Sequence, residues 1–281
     1  MEKIVVIPNV NKDKDLVLTG EVVDRLLSLG FDVFMAEETL SDKDVSVSSD
    51  KIPEGVDLAV IVGGDGSVID ASRISVERDI PILGINLGRL GYMTEVEIDG
   101  LSALDNLKSG NYSIIEKMLL SVEFCNGRTV CERYAVNDVT ISRDSSLHIA
   151  DIRVEDSLEN AVKLRADGVV LSTPQGSTAY SFSAGGPIVA HDVESILMTP
   201  ISPHSFFNRS VLFNSSDTIK LTNQGEMTLK VNVDGRCVGN LDIGDSCMVR
   251  KAPKTVKMLT FTKNSMFTSL FKKMRILGDI G

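Results

Sequence analysis

Three glycines around a carboxylate form the densest chemical signal in this chain. The segment Gly63-Gly64-Asp65-Gly66-Ser67 follows the apolar run 58–62 and precedes residues with helical spacing. Glycines allow backbone N–H groups to approach a phosphate closely, and the dipole of a helix favours an anion at its N-terminus. We therefore expect a phosphate cradle at 63–67. Its predicted phosphate-binding residues are Gly63, Gly64, Gly66 and Ser67.

Asp65 is the unexpected member of this cradle, because a carboxylate repels a phosphate. It is predicted either to hold a metal ion or to act as a general base toward an incoming hydroxyl group. The alternative interpretation is a tight strand–helix turn in which the Asp65 side chain caps the helix.

A second polar stretch, 172–187, follows the apolar run 168–171 and is dense in Gly, Ser and Thr. Such a stretch offers hydroxyl and backbone N–H groups to a ligand, and Tyr180 offers a stacking face. The alternative is a serine-rich loop that only turns the chain. Asp167 and the glycines that flank the loop favour binding. The pair Asn137-Asp138 interrupts a β pattern and, considered alone, indicates a turn or a bulge.

Strand–helix alternation over the first 100 residues must position the cradle. The predicted strands are 4–7, 31–34, 58–62 and 80–85, and the predicted helices are 15–29 and the segment from the cradle to Arg78. This alternation predicts a parallel sheet covered by helices, whose ligands bind at the carboxyl ends of the strands. A second glycine loop, 86–92, follows a strand at the same edge. Residues 37–56 are polar and are predicted to form an exposed or mobile loop.

The pattern changes near residue 100, after a last predicted helix at 101–107. Short strands separated by turn residues predict an all-β domain. These strands are 118–125, 129–135, 139–142, 149–154, 161–164, 168–171, 211–213, 218–221, 228–233, 246–249 and 256–261. The tail 264–275 has apolar residues at helical spacing with basic residues off that stripe. We expect it to pack on the first domain; a membrane-surface helix is the alternative. The predicted domains are 1–100 with 264–281, and 101–263.

Composition limits the possible partners. The chain has 281 residues and a formal net charge of −10, which argues against non-specific nucleic-acid binding. A polyanionic substrate would then need clustered cations or Mg²⁺. Four cysteines without a C-x-x-C pair predict a reduced, cytoplasmic protein without a zinc site. No signal peptide is recognisable, and no apolar run approaches the ~20 residues of a membrane span.

In their order and spacing, these motifs resemble those of NAD kinases, and the resemblance covers nearly the whole chain. The matching segments are Gly63–Ser67, Asn137-Asp138, Asp167-Gly168, Gly176–Tyr180 and Gly185-Gly186-Pro187, with a further one at Thr199–His204 and Asn208-Arg209. The first motif is shared with diacylglycerol kinases, sphingosine kinases and phosphofructokinases. The long loop that begins at Gly176 is the specific one.

The resemblance implies ATP-dependent phosphorylation of the adenosine ribose 2′-hydroxyl of NAD, with Mg²⁺, to give NADP. It implies a Rossmann-like α/β domain followed by a β-sandwich domain, a site between them, and a homodimer or homotetramer. Asp65 would take the hydroxyl proton, and Gly66 would approach the phosphates. The residues implied to contact NAD are Asp65, Gly66, Asn137, Asp138, His148, Arg165, Asp167, Thr178, Ala179, Tyr180, Ser181, Phe182, Ser183 and Ser202. No residue is implied as a metal ligand.

The chain departs from the family pattern at two positions. Asp138 stands where the family usually has Glu, and Ser67 stands where it most often has Thr; both keep the functional group. Two alternatives remain: a lipid or sugar kinase of the same superfamily, and a non-catalytic NAD(P)-sensing protein. The long loop argues against the first, and Asp65 argues against the second. The chain has neither G-x-x-x-x-G-K-[ST] nor a G-x-G-x-x-G after a strand, which argues against a P-loop kinase and a dehydrogenase.

Overall fold

A computed structural model of the chain describes residues 1–36, 52–88, 91–126, 129–144, 148–204 and 206–261. Contacts divide these residues into two compact units: unit 1 contains Met1–Glu116 and the residues from Val256 onward, and unit 2 contains Lys117–Thr255. The sequence pattern changes near residue 100, whereas the first segment of unit 1 continues to Glu116. The difference arises because a helix and the start of a long strand still pack within unit 1. The predicted helix 264–275 and most of the predicted loop 37–56 lie outside the described residues.

Unit 1 is built on a parallel sheet whose central strands are buried and largely apolar. Its elements are β1 Lys3–Pro8, α1 Val17–Ser28, β2 Asp32–Met35, β3 Leu58–Gly63, α2 Asp65–Arg78, β4 Ile82–Asn86, β5 Val96–Glu97 and α3 Asp105–Ser109. The strands lie in the order β2-β1-β3-β4-β5, and each of these pairings is parallel. All residues of β3 and β4 are buried, as expected for a sheet covered on both faces. The predicted α/β architecture is confirmed.

The predicted helix 101–107 has a different form. A 3-10 turn runs over Ile98–Leu104, and α3 follows it as a short α-helix. The Asn106 side chain donates to the Ala103 carbonyl oxygen at 2.9 Å, which competes with regular helical bonding. Gly110 then ends α3 with a left-handed φ of 73°.

Unit 2 is built on antiparallel strands. Its elements are β6 Ser113–Asn126, which begins in unit 1, β7 Thr129–Ala135, β8 Asp138–Ser142, β9 Ala150–Glu155, β10 Ala161–Ala166, β11 Gly168–Ser172, α4 Tyr180–Ser183, β12 Ser195–Ile201, β13 Val211–Asn214, β14 Thr218–Asn223, β15 Leu229–Val233, β16 Arg236–Leu241 and β17 Ser246–Thr260, which ends in unit 1. One sheet has the order β13-β12-β11-β8-β15-β16. The other has the order β10-β9-β14-β17 and includes β6 and β7.

The two sheets of unit 2 share one apolar core. Leu120 and Ile152 from one sheet, and Ile141 and Val169 from the other, are completely buried in the same cluster. Side chains that meet between two sheets form a β-sandwich. The predicted β-sandwich is therefore confirmed.

The strand predictions were wrong in three places within unit 2. The predicted strands 246–249 and 256–261 belong to one strand, β17, and β12 and β16 were not predicted. A proline within 195–201 makes a strand harder to recognise there, because proline lacks an N–H group. The sheet accepts Pro200 because β13 pairs only with Ser195–Met198 of β12. In β16 the pattern is interrupted by Gly239, where a Cβ would overlap the Phe124 ring.

Candidate functional site

Glycine is suited to the three positions of the cradle for different structural reasons. A Cβ on Gly63 would overlap the Ser67 side chain, and one on Gly64 would overlap the ammonium group of Lys12. Gly66 is exposed, and a Cβ there would meet open space. Crowding by the chain therefore accounts for Gly63 and Gly64. The accessible backbone of Gly66 is suited to the approach of a ligand, as predicted for a phosphate.

A polar turn after β1 supports the cradle from the side. The Asn9 side-chain amide donates to Ser67 Oγ at 2.8 Å, and the Gly64 N–H donates to the same oxygen at 3.4 Å. Asn9 Oδ1 accepts the Lys12 N–H at 3.3 Å, which places Lys12 beside the cradle. The buried Ser67 hydroxyl thus stabilises the shape of the cradle, and its contact with phosphate stays a prediction. Asn9 and Lys12 were missed because no local pattern connects the end of β1 to residue 64.

The Asp65 carboxylate holds the loop that follows β4. Its Oδ2 accepts the Tyr92 N–H at 2.7 Å, and its Oδ1 accepts the Met93 N–H at 2.9 Å. A Cβ on Gly91 would overlap this carboxylate, so the loop can approach only because residue 91 is glycine. Burial, followed by the charge of Asp65, raises the pKa of Tyr92. The N-cap residue of α2 is Gly64, and Asp65 is the first residue of the helix, so Asp65 does not occupy the N-cap position.

The second glycine loop starts at the same edge of the sheet, as predicted. Asn86 at the end of β4 donates to Glu97 Oε2 at 2.8 Å and to the Gly88 carbonyl oxygen at 3.1 Å. The Leu87 N–H donates to the Gly63 carbonyl oxygen at 2.7 Å. Both loops therefore follow the carboxyl ends of β3 and β4, which is where open α/β sheets bind ligands.

In unit 2, the pair Asn137-Asp138 begins β8 next to the end of β11. Asp138 is paired with Ser172, the last residue of β11. The Thr173 N–H donates to the Asn137 carbonyl oxygen at 2.9 Å. A Cβ on Gly176 would overlap the Asn137 backbone. The loop after β11 is therefore packed directly on the Asn137-Asp138 turn.

Asp138 lies in an enclosed, polar position. Its side chain is 5% exposed and accepts hydrogen bonds from the Thr140 hydroxyl at 3.4 Å and from the Tyr180 N–H. Burial, and next the charge of Asp234, raise the pKa of Asp138 to about 7. The Tyr180 side chain itself is 46% exposed, so its ring is available for stacking.

Four of the six hydroxyl groups in the loop 173–183 form hydrogen bonds within the chain; they belong to Thr173, Ser177, Thr178 and Ser181. Ser177 Oγ donates to the Pro174 carbonyl oxygen at 2.6 Å and accepts the Val189 N–H at 3.0 Å. Ser181 Oγ is buried and is hydrogen-bonded to Thr199 Oγ1 at 2.8 Å. The segment contains a 3-10 turn and α4 rather than irregular backbone throughout. The side chains at or near its surface are those of Thr178, Ala179, Tyr180, Phe182 and Ser183.

A second group of predicted residues lies at the opposite end of β11. Asp167 precedes this strand and pairs with Arg143 at 2.7 Å, which lowers the pKa of the Asp167 carboxyl. Ser202 also hydrogen-bonds to Asp167, whereas Arg165 pairs with Asp151 at 3.1 Å. The strand β11 separates Asp167 from the level of Asp138 by five residues, roughly 17 Å. Unit 2 therefore does not gather the predicted dinucleotide residues at one point.

His148, which the family resemblance places near the dinucleotide, is exposed and precedes β9. Within the described ranges, no three His, Cys, Asp or Glu side chains are grouped in a way that would hold a metal ion. No helix in the described part of the chain is long and apolar enough to cross a bilayer.

The two units define a class of protein. A glycine cradle with an adjacent carboxylate lies at the carboxyl edge of a parallel sheet, and a β-sandwich carries a loop rich in hydroxyl groups. These features fit a phosphotransferase, as the G-G-D-G motif predicts. Comparison with known proteins makes the class specific: the ATP-NAD kinase N-terminal domain matches residues 4–110, and the ATP-NAD kinase C-terminal domain matches residues 136–261.

Similar proteins support the same conclusion. The NAD kinase of Natranaerobius thermophilus is 33% identical over 282 residues, which cover 98% of each chain. The NAD kinase of Lachnoclostridium phytofermentans is 35% identical over 284 residues, which cover 97% of this chain and 99% of the relative. This chain belongs to the ATP-NAD kinase family.

Solved structures support the fold. Yeast NADH kinase complexed with NADH matches with a TM-score of 0.83 and 23% identity, over 96% of this chain and 86% of that chain. An NAD kinase from Archaeoglobus fulgidus in complex with ATP matches with a TM-score of 0.76 and 22% identity, over 97% of this chain and 98% of that chain.

Proposed function

We propose that this protein transfers the γ-phosphoryl group of ATP to the 2′-hydroxyl of the adenosine ribose of NAD, giving NADP and ADP. The observation that carries the proposal is the carboxylate of Asp65 within the cradle 63–67 in a member of the ATP-NAD kinase family. Phosphoryl transfer depends mainly on positioning and charge stabilisation, and a secondary hydroxyl needs a base to take its proton.

Asp65 is suited to this role by its hydrogen bonds. The N–H groups of Tyr92 and Met93 each occupy one lone pair of the carboxylate and fix its orientation. A carboxylate has about four acceptor positions, so it can accept from a substrate hydroxyl in addition to backbone N–H groups. The ribose oxygen would attack the γ-phosphorus while its proton passes to Asp65, and ADP would leave with the bridging oxygen.

The donor phosphates would lie on the cradle. Gly66 offers accessible backbone at the N-terminus of α2, whose dipole favours an anion. The Lys12 ammonium lies against Gly64 and would offset phosphate charge. Mg²⁺ would arrive with ATP as part of the substrate.

Unit 2 would recognise the dinucleotide. Asp138 and Asn137 would bind ribose hydroxyl groups, and the exposed ring of Tyr180 would stack on a base. The contacts of Arg165, Asp167, His148 and Ser202 with NAD remain predictions from the family resemblance. So do the requirement for Mg²⁺, the homodimer or homotetramer, and the cytoplasmic location.

An acceptor panel tests the proposal. Purified protein is incubated with ATP, Mg²⁺ and one acceptor: NAD, NADH, diacylglycerol, sphingosine or fructose 6-phosphate. ADP release is measured for all acceptors, and NADP is measured with an NADP-specific dehydrogenase. We expect ADP and NADP in equal amounts with NAD.

Two results would contradict the proposal. ADP release with only a lipid or a sugar would identify a kinase of the wider superfamily. Binding of NAD and NADP without ADP release would identify a sensing protein. Replacing ATP by polyphosphate in the NAD reaction then determines the range of donors.

A further inference from the structure

The turn between β15 and β16 carries a carboxylate that its own hairpin does not need. Asp234 and Gly235 form a two-residue loop between the paired residues Val233 and Arg236, with left-handed φ values of 47° and 79°. Asp-Gly and Asn-Gly both suit such a turn, because each tolerates positive φ. Local geometry therefore explains a short polar residue at 234, but it does not explain the charge.

The Asp234 carboxylate binds the backbone of a distant turn. Its Oδ2 accepts the Val136 N–H at 2.8 Å, and its Oδ1 accepts the N–H groups of Asn137 at 2.7 Å and Asp138 at 3.1 Å. In return, the Asp234 N–H donates to the Asp138 carbonyl oxygen at 2.9 Å. Hydrogen bonds to a charged acceptor are about twice as strong as neutral ones.

The same turn is held from its other side by the loop after β11. Thr173 donates through its N–H to the Asn137 carbonyl oxygen and through its hydroxyl to the Val136 carbonyl oxygen, the latter at 2.7 Å. The Asn137 backbone is therefore fixed between Asp234 and Thr173. Without the Asp234 carboxylate, three backbone donors would lose their acceptor, and the turn would keep only its Thr173 contacts and the backbone bond from residue 234 to the Asp138 carbonyl oxygen.

Asp234 also acts on Asp138 through its charge. Three groups influence the Asp138 carboxyl besides burial: the Asp234 carboxylate, the Thr140 hydroxyl and the Tyr180 N–H. Among them, the Asp234 charge disfavours ionisation, and the two hydrogen bonds favour it. The position and the charge state of Asp138 therefore both depend on Asp234.

We propose that Asp234 is a positioning residue for the reaction, because its carboxylate fixes the Asn137-Asp138 turn that orients the ribose hydroxyls of NAD. This inference rests on the proposed function. Asp234 does not need to touch the substrate in this role. Misplacement of a reacting group by about 1 Å costs about a hundredfold in rate.

The test compares Asp234→Asn with wild type. Asparagine keeps the turn and the size, but its NH₂ group would face backbone donors. We expect kcat/KM for NAD to fall about ten- to a hundredfold with an unchanged KM for ATP. The acidic limb of the kcat/KM profile, which reports the free enzyme, should move to lower pH because a negative charge beside Asp138 is lost.

Two further variants separate positioning from folding. Asp217→Asn is the matched control: Asp217 also accepts a backbone N–H in a turn, from Asn214 at 3.0 Å, and should leave kcat/KM and the acidic limb unchanged. Asp234→Gly adopts positive φ without strain and should reproduce the loss if the asparagine variant does not fold. Melting temperatures are measured for all variants, and kinetics are recorded well below them.

The outcomes are distinct. Wild-type activity is measured before that of any variant. If the wild-type protein makes no NADP, the proposed function is contradicted. Active wild type together with a folded Asp234 variant of unchanged kcat/KM and unmoved acidic limb contradicts the positioning role. In Asp138→Asn, where Asp234 is present, the contribution of Asp138 to the acidic limb should be lost, so the limb should move and only that of the general base Asp65 should remain. A limb that stays at its wild-type position there contradicts the dependence of activity on the charge state of Asp138, even if neither Asp234 variant folds.

Discussion

The two aspartates on which the proposed function depends, one in each unit, have opposite surroundings. Asp65 in unit 1 is partly exposed, and backbone N–H groups of Tyr92 and Met93 satisfy part of its carboxylate. Asp138 in unit 2 is 5% exposed and has a second carboxylate, that of Asp234, beside it. The Asp65 carboxylate therefore lies among loops, whereas the Asp138 carboxylate is enclosed by strands and a packed loop.

This difference in surroundings indicates different roles for Asp65 and Asp138. An accessible carboxylate can exchange a proton with a ligand. A buried carboxylate beside a like charge is costly to ionise, so its value lies in holding a geometry. Substitution of Asp65 should therefore affect the chemical step, and substitution of Asp138 should affect binding, pH dependence and stability.

The largest effect is expected for Asp65→Asn. The variant keeps the size of the side chain and one acceptor oxygen but cannot take the hydroxyl proton. We expect kcat to fall by roughly 10²–10⁴, with NAD still bound. Steady-state kinetics and NAD titration measure both quantities. Glu77→Gln, at the far end of α2, is the control. Turnover near that of wild type would make Asp65 a residue that only holds the loop.

The activity should depend on the length of the side chain at position 138 as well as on its charge. Glutamate would restore the usual family residue, but the extra methylene must fit against the Tyr180 backbone. We expect kcat/KM for NAD to decrease in the order wild type, Asp138→Glu, Asp138→Ala, with a loss of about a hundredfold for alanine and a raised KM for NAD. A glutamate variant equal to wild type would mean that the site tolerates either length. An unaffected alanine variant would show that Asp138 does not contact the ribose.

The burial of Asp138 should also appear in stability. Its folded pKa of about 7 exceeds its ordinary value of 3.8, so the folded protein binds more protons between these values. Stability is then lost as pH rises through this window, and the loss is complete above pH 7. We expect Asp138→Asn to be more stable than wild type by about 2–4 kcal/mol at pH 8, and by much less at pH 5. Urea unfolding at both pH values measures this, and a pH-independent difference would argue against the burial effect.

Substitution of Lys12 tests whether its positive charge helps the cradle to bind ATP. Its ammonium lies against Gly64, so loss of the charge should weaken the donor complex more than the NAD complex. We expect Lys12→Gln to raise the KM for ATP about tenfold, the range for one charged hydrogen bond. Lys14→Gln, an exposed neighbour, is the control. Equal changes in the KM values for ATP and NAD would place Lys12 outside the cradle.

The smallest effect is expected for Ser67→Thr, which restores the more usual family residue. Threonine keeps the hydroxyl that accepts from Asn9 and Gly64, so kcat/KM should stay within about threefold of wild type. Ser67→Ala removes the acceptor and should raise the KM for ATP. If threonine is as harmful as alanine, the space around Ser67, and not its hydroxyl, determines the shape of the cradle.

Local signals account for the parts of the fold that were predicted. The apolar period of β3, the glycines after it and the helical spacing of α2 are all contained within twenty-one residues, 58–78. Glycine at the end of α3 and the Asp-Gly turn before β16 are likewise local features. Such features predict an element and its ends, because neighbours along the chain determine them.

Contacts between distant segments account for what was not predicted. Asp234 and Asn137 are separated by 97 positions, and the sequence shows Asp234 only as a turn residue. Lys12 reaches Gly64 because β1 and β3 are neighbours in the sheet. The separation of Asp167 from Asp138 follows from the direction of β11, which motif order does not reveal.

The tight packing of Gly176 on Asn137 has a consequence for protein engineering. No side chain fits between the two backbones, so the loop after β11 and the start of β8 have complementary surfaces. We expect a chimera that receives this loop from a relative to work only if the residues around Asn137 are transplanted with it. The two segments then form a single exchangeable cassette, although 36 positions separate Thr173 from Asn137 in the chain.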